Sequence, residues 1–144
     1  MDWKAFIQAK YEPRQEFIPI PELAPFQAGV EVPGILVKSL SGTEWWKAKQ
    51  PAQKDYINIF AKLFQLSPDK IVEGFKEIFD PETPVELGTR IMILYYAIVD
   101  DALKEADRLE ACIKINKVLG FDFMHLTNKI TLLSGMGFEQ KKKQ

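Results

Sequence analysis

Five of the nine prolines in this chain, Pro13, Pro19, Pro21, Pro25 and Pro33, fall within residues 13–33. Proline has no backbone N–H and a fixed φ, so this stretch can be neither helix nor the interior of a sheet. It leaves room for two extended segments. Glu16-Phe17-Ile18-Pro19-Ile20 is one, its proline suiting an edge strand. Ile35-Leu36-Val37-Lys38-Ser39-Leu40 is the other, and it is richer in strand formers. Gly29 and Gly34 lie in the loop between them, so the region reads as a β-hairpin with a long loop.

Helical patterning surrounds it. Asp2 can cap a short helix from Trp3 to about Lys10. Ser41-Gly42-Thr43-Glu44 has the spacing of a capping box and starts a helix carrying Trp45 and Trp46. Pro51 interrupts that helix or opens the next. Tyr56, Ile57, Phe60, Leu63 and Phe64 then form one apolar face at helical period. Ser67-Pro68 starts a helix with Ile71, Val72, Phe75, Ile78 and Phe79 on one face, and Asp80-Pro81 ends it.

Thr83-Pro84 starts another helix, running to about Asp100, which is apolar almost all round from Ile91 to Val99. A helix apolar on every side is enclosed by protein, so this one is expected at the centre of the core. A more amphipathic helix follows from Ala102 to about Val118. Its inner stripe is expected to be Leu103, Ala106, Leu109, Ile113 and Leu119. Its polar side carries Lys104, Glu105, Asp107, Arg108 and Lys114. Gly120 breaks the pattern. The last helix runs from Asp122 to about Leu133, with Phe123, Leu126, Ile130 and Leu133 on one face, and Gly135 and Gly137 stop it. The fold class is therefore α+β, a predominantly helical single domain with a small N-terminal β-hairpin. Helix and hairpin occupy residues 1–40, a helical body residues 41–134 and a flexible tail residues 135–144.

Composition narrows the function. With 144 residues, 47% of them hydrophobic and 27% charged, the chain can bury a real core. A formal net charge of −1, with Lys141-Lys142-Lys143 as the clearest basic cluster, argues against nucleic acid as partner. The start Met1-Asp2-Trp3-Lys4-Ala5-Phe6 lacks the pattern of a signal peptide. The Ile91–Val99 run is about half of what a membrane span needs. No membrane partner is expected, and the expected place is the cytoplasm. Cys112 is the only cysteine, which fits a reducing compartment.

Catalytic chemistry is hard to assemble from these residues. His125 is the only histidine and has no cysteine or histidine at metal-ligand spacing. Cys112 reads as a small core residue. Asp100-Asp101 is a carboxylate pair, but helix neighbours point about 100° apart and do not converge unaided. Ser39, Ser41, Ser67 and Ser134 lie in no nucleophile elbow, and Ser134-Gly135-Met136-Gly137 follows a helix instead of opening one. The chain is expected not to be an enzyme and to need no cofactor or metal. A small enzyme using Asp100 and Asp101 is the remote alternative.

The aromatics point to protein partners. Adjacent Trp45 and Trp46 cannot both take the centre of one helical stripe, so one packs inward and the other leans out. Exposed tryptophan is typical of interfaces. Phe121, Phe123 and Met124 likewise occupy more than one side of the last helix's start. Trp45, Trp46, Phe121, Phe123 and Met124 are the candidate interaction residues, against the alternative that all are core.

The layout as a whole has a proline-rich opening with Ile18-Pro19-Ile20-Pro21-Glu22-Leu23. The strand Gly34-Ile35-Leu36-Val37-Lys38-Ser39-Leu40 then runs into Ser41-Gly42-Thr43-Glu44-Trp45. A helical body with Ala97-Ile98-Val99-Asp100 follows. The ending is Leu126-Thr127-Asn128-Lys129-Ile130-Thr131-Leu132-Leu133-Ser134-Gly135-Met136-Gly137 and a short polar tail. This resembles the tail assembly chaperones of long-tailed (siphovirus-type) bacteriophages and prophages. Leu103 to Lys117 departs from that family, many members of which are more loop-like there.

The resemblance implies a non-enzymatic protein that self-associates and coats the tape measure protein before the tail tube polymerises. It also implies residence in the host cytoplasm and absence from the mature virion. In many members a programmed frameshift near the end of the gene yields a longer form that recruits tail tube protein. Lys141, Lys142 and Lys143 stand where that slip is expected. The competing reading is a helical adaptor or regulatory protein with an unrelated partner.

Overall fold

The computed structural model describes residues 1–49 and 82–141. The faces expected at Tyr56–Phe64 and Ile71–Phe79, with the helix signals at Pro51, Ser67-Pro68 and Asp80-Pro81, lie outside the described residues, as do Lys142 and Lys143. In chain order the elements are α1 (Trp3–Gln8), β1 (Tyr11–Pro13), β2 (Gln15–Pro19), a 3-10 helix (Pro21–Phe26), β3 (Gly34–Lys38), α2 (Gly42–Lys49), α3 (Glu82–Ala97), α4 (Glu105–Leu119), α5 (Asp122–Gly135) and β4 (Phe138–Gln140). The protein is α+β, with helices joined to a small antiparallel sheet near the N-terminus. Among the described residues no helix is long and apolar enough to cross a membrane.

The expected hairpin is present, but its loop holds the 3-10 helix Pro21–Phe26 where no helix was expected, with Pro21 in the first turn, which needs no N–H. β2 and β3 pair antiparallel from Gln15 opposite Lys38 to Pro19 opposite Gly34. Its long loop is closed by an amide clamp, because Gln27 Nε2 donates to the Gly34 carbonyl and Gln27 Oε1 accepts from the Gly34 N–H, both at 2.7 Å. Position 34 must be glycine. A Cβ there would run into the Ile18 carbonyl oxygen and come within 2.7 Å of the Phe17 ring. On its other edge β3 takes up the chain leaving α3, through a bridge between Val37 and Ile98 and a bond from the Val99 N–H to the Leu36 carbonyl at 2.9 Å.

α3 is the central element, touching α2, α4, α5 and β3. Ile91, Ile93, Leu94, Ala97 and Ile98 are buried, and Met92, Tyr95 and Tyr96 pack against them. The helix stops at Ala97 and not near Asp100, because Ile98 and Val99 turn extended to join β3. Its last carbonyls are capped from α4. Arg108 Nη1 donates to the Tyr95 carbonyl at 2.6 Å and the Ile98 carbonyl at 3.0 Å, which places a cation where the helix end is negative. The expected polar side of α4 thus supplies an inward-reaching arginine. The expected inner stripe also needs correction, because Ala106 is exposed, while Cys112 is buried as expected of a small core residue.

The C-terminal segment differs most from expectation. Residues 135–144 read as a flexible tail, yet β4 pairs with β1, Tyr11 opposite Gln140 and Pro13 opposite Phe138. The Lys141 N–H extends the ladder to the Lys10 carbonyl at 2.8 Å. Three residues carry no period of their own, so the pairing comes from tertiary structure. Hydroxyls and Arg14 hold the turn that leads there. Ser39 Oγ accepts from the Arg14 N–H at 2.9 Å and donates to the Gly137 carbonyl at 3.3 Å. Ser134 Oγ accepts from the Leu40 N–H at 2.9 Å, and Arg14 Nη1 meets Glu139 Oε2 at 3.3 Å. Gly137 makes the turn at φ +71°, a conformation that favours glycine.

Candidate protein-interaction surface

The capping box forms as the sequence indicates. Ser41 Oγ accepts from the Glu44 N–H at 3.1 Å and Glu44 Oε1 accepts from the Ser41 N–H at 3.0 Å. Lys38 Nζ closes on the same carboxylate at 2.9 Å. Burial alone would raise the Glu44 carboxyl, but the Ser41 N–H and the Lys38 ammonium outweigh it and hold it below its ordinary value. This anchored first turn fixes the two tryptophans. Trp45 leans into the core, half-buried, with Lys49 Nζ 4.8 Å from its ring centroid. Trp46 points away and is 63% exposed. Both line a hollow of about 380 Å³ floored by Leu40, Thr131, Ser134 and Gly135.

α5 explains the other candidates. Phe123, Leu126, Thr127, Ile130 and Leu133 are its buried residues and fall on one side at helical spacing. Phe123, at 2% exposure, heads this core stripe, so its place among the interaction residues is corrected. Phe121 and Met124 lie off the stripe and stay outside. Phe121 is 75% exposed, its ring meeting His125 edge-on at 5.8 Å between centroids. Leu132, 73% exposed, stands three turns beyond Phe121 on the same side, and sequence reading missed it. The spacing of eleven residues between Phe121 and Leu132 was the available signal.

Met124, Thr131 and Gly135 recur at intervals of seven and four, in one row about 16 Å long. The Trp46 hollow therefore lies at the C-terminal end of the same outer side of α5 that begins with Phe121 and Met124. The tryptophan and phenylalanine candidates do not form one patch. They bracket one helix face.

A second apolar surface also escaped sequence reading. A groove of about 350 Å³ runs between the 3-10 helix and α4, lined by Leu23, Phe26, Ile115, Val118 and Leu119, with Glu22 on one wall and Lys114 on the other.

Among the described residues the remaining chemistry-bearing side chains do not assemble. Asp100 and Asp101 are exposed, and Asp100 Oδ1 accepts from the Ala102 N–H at 2.9 Å, a local turn bond. Among the described residues no group of three or more His, Cys, Asp and Glu could hold a metal ion. Cys112 is buried against the core, and burial pushes its thiol up to about 12. Ser39, Ser41 and Ser134 are all engaged in the structural bonds given above. Comparison with protein-family models, with curated proteins and with solved structures yields no match.

Proposed function

We propose that this chain is a tail assembly chaperone of a long-tailed phage or prophage, which self-associates and coats the tape measure protein before tail tube polymerisation. The observation that carries the reading is the outer side of α5. Large apolar side chains, Phe121, Met124 and Leu132, stand exposed along it with His125 and Asn128 between them, and Trp46 stands at its end. A single helix face of this length suits an extended helical partner, which is met by apolar side chains at helical intervals. Weak contacts repeated along such a partner give strong joint coating while each stays displaceable by the growing tube. The layout of the sequence, from Ile18-Pro19-Ile20-Pro21 to Leu133-Ser134-Gly135-Met136-Gly137, supports the family.

The chaperone works from the host cytoplasm and is left out of the mature virion. A longer product diverging within Lys141, Lys142 and Lys143 would recruit tail tube protein. The native gene, expressed with its downstream DNA and with a neighbouring gene for a very long helical protein, tests this. A minor extended product, and a long helical protein that stays soluble only with this chain, are expected. A long helical protein that aggregates equally with and without the chain would overturn the reading in favour of an adaptor with another partner.

A further inference from the structure

α1 is six residues long and buries none of its side chains. A helix of that length does not hold itself in water, and this one is held by a side-chain cap and by ring contacts. Asp2 Oδ1 accepts from the Ala5 N–H at 3.0 Å, and Phe6 stacks between Trp3 and Tyr11 at centroid distances of 6.1 and 5.9 Å. Trp3, Phe6 and Ile7 share one face at the i, i+3, i+4 spacing, and Ile7 is 78% exposed. At about 100° per residue, Lys4 flanks this face on one side and Asp2 on the other.

The groove between the 3-10 helix and α4 has the matching character. Its floor is apolar, and its walls carry Glu22 on the 3-10 helix and Lys114 on α4. Laid along the groove with its apolar face inward, α1 can be turned so that Lys4 lies on the Glu22 side and Asp2, whose Oδ1 also caps the helix, on the Lys114 side. We propose that the occupant of this groove is α1 of a second copy of the chain. Helix and groove are different surfaces, so the contact is head-to-tail and adds copies without limit unless its rotation closes a ring. This deepens the self-association in the proposed function by naming the surfaces that carry it.

Sedimentation velocity of the full chain over a range of concentrations tests the contact without any tape measure protein, so its failure is separate from failure of the chaperone reading. Wild-type protein is expected to sediment faster as concentration rises. Ile7→Asp, which spoils the helix face, and Val118→Glu, which spoils the groove, should each stay at the monomer value. Both positions are exposed, so the fold is retained and circular dichroism checks it. Mixing the two variants should give a dimer that grows no further, because one brings an intact groove and the other an intact helix. Lys4→Glu should weaken assembly by up to about fivefold, and adding Glu22→Lys should restore it. A wild-type chain that stays monomeric, variants that assemble like wild type, or a mixture that stays monomeric would each overturn the proposal.

Discussion

Both sides of α5 carry large apolar side chains, but only one side is buried. The inner side, with Phe123, Leu126, Ile130 and Leu133, is closed off by α3, β2 and β3. The outer side, with Phe121, Met124 and Leu132, meets solvent. Hydrophobicity alone does not separate the two sets. Position around the helix does, because only one side can face α3 and the hairpin. The exposed row, in which His125 and Asn128 lie between Phe121 and Leu132, is the surface that the proposed function assigns to a partner.

Truncating the inner side should have the largest effect. Ile130 is fully buried, so Ile130→Ala should cost about 2–5 kcal/mol in denaturant unfolding. Leu132→Ala, two residues away, should stay within about 0.5 kcal/mol. Equal losses at both positions would erase the distinction between the two sides. Next in size, Trp46→Ala should leave the unfolding midpoint nearly unchanged while weakening partner binding by about 2 kcal/mol, read by titration calorimetry. If that variant unfolds instead, Trp46 belongs to the core.

Ser134→Ala sharpens the comparison at the helix end, where the side chain serves the fold. It removes the acceptor of the Leu40 N–H, and a loss of about 1–2 kcal/mol is expected in thermal unfolding. The smallest effect concerns Glu44, beneath the tryptophans. Its folded carboxyl lies below its ordinary value, so its contribution is complete above the ordinary carboxylate range and is lost as pH falls through the folded value. Glu44→Gln should flatten the acid limb of the stability–pH curve, and an unchanged limb would rule out the Lys38 and Ser41 bonds as its cause.

Much of this was legible because the signals are local. Proline placement fixed the hairpin region, Asp2 and Ser41-Glu44 marked two helix starts, and the apolar run from Ile91 marked the central helix. What stayed hidden depends on distant partners. Arg108 reads as a solvated arginine until the end of α3 is placed beside it. Phe138-Glu139-Gln140 is a strand only because β1 offers its edge. At the surface, the period that put Phe123 on the core face was already readable, and so was the eleven-residue relation of Phe121 to Leu132. Which face of α5 would stay open was not readable, since that depends on where α3 and β3 pack.

The most direct measurement co-expresses the proposed partner, a tape measure protein, with wild-type chain or with a Trp46→Ala, Phe121→Ala, Leu132→Ser variant matched to wild type in unfolding midpoint. If the outer side of α5 is the chaperoning surface, wild type should keep the long protein soluble and co-elute with it, while the variant leaves it in the pellet. A variant that solubilises and co-elutes as well as wild type would contradict the assignment.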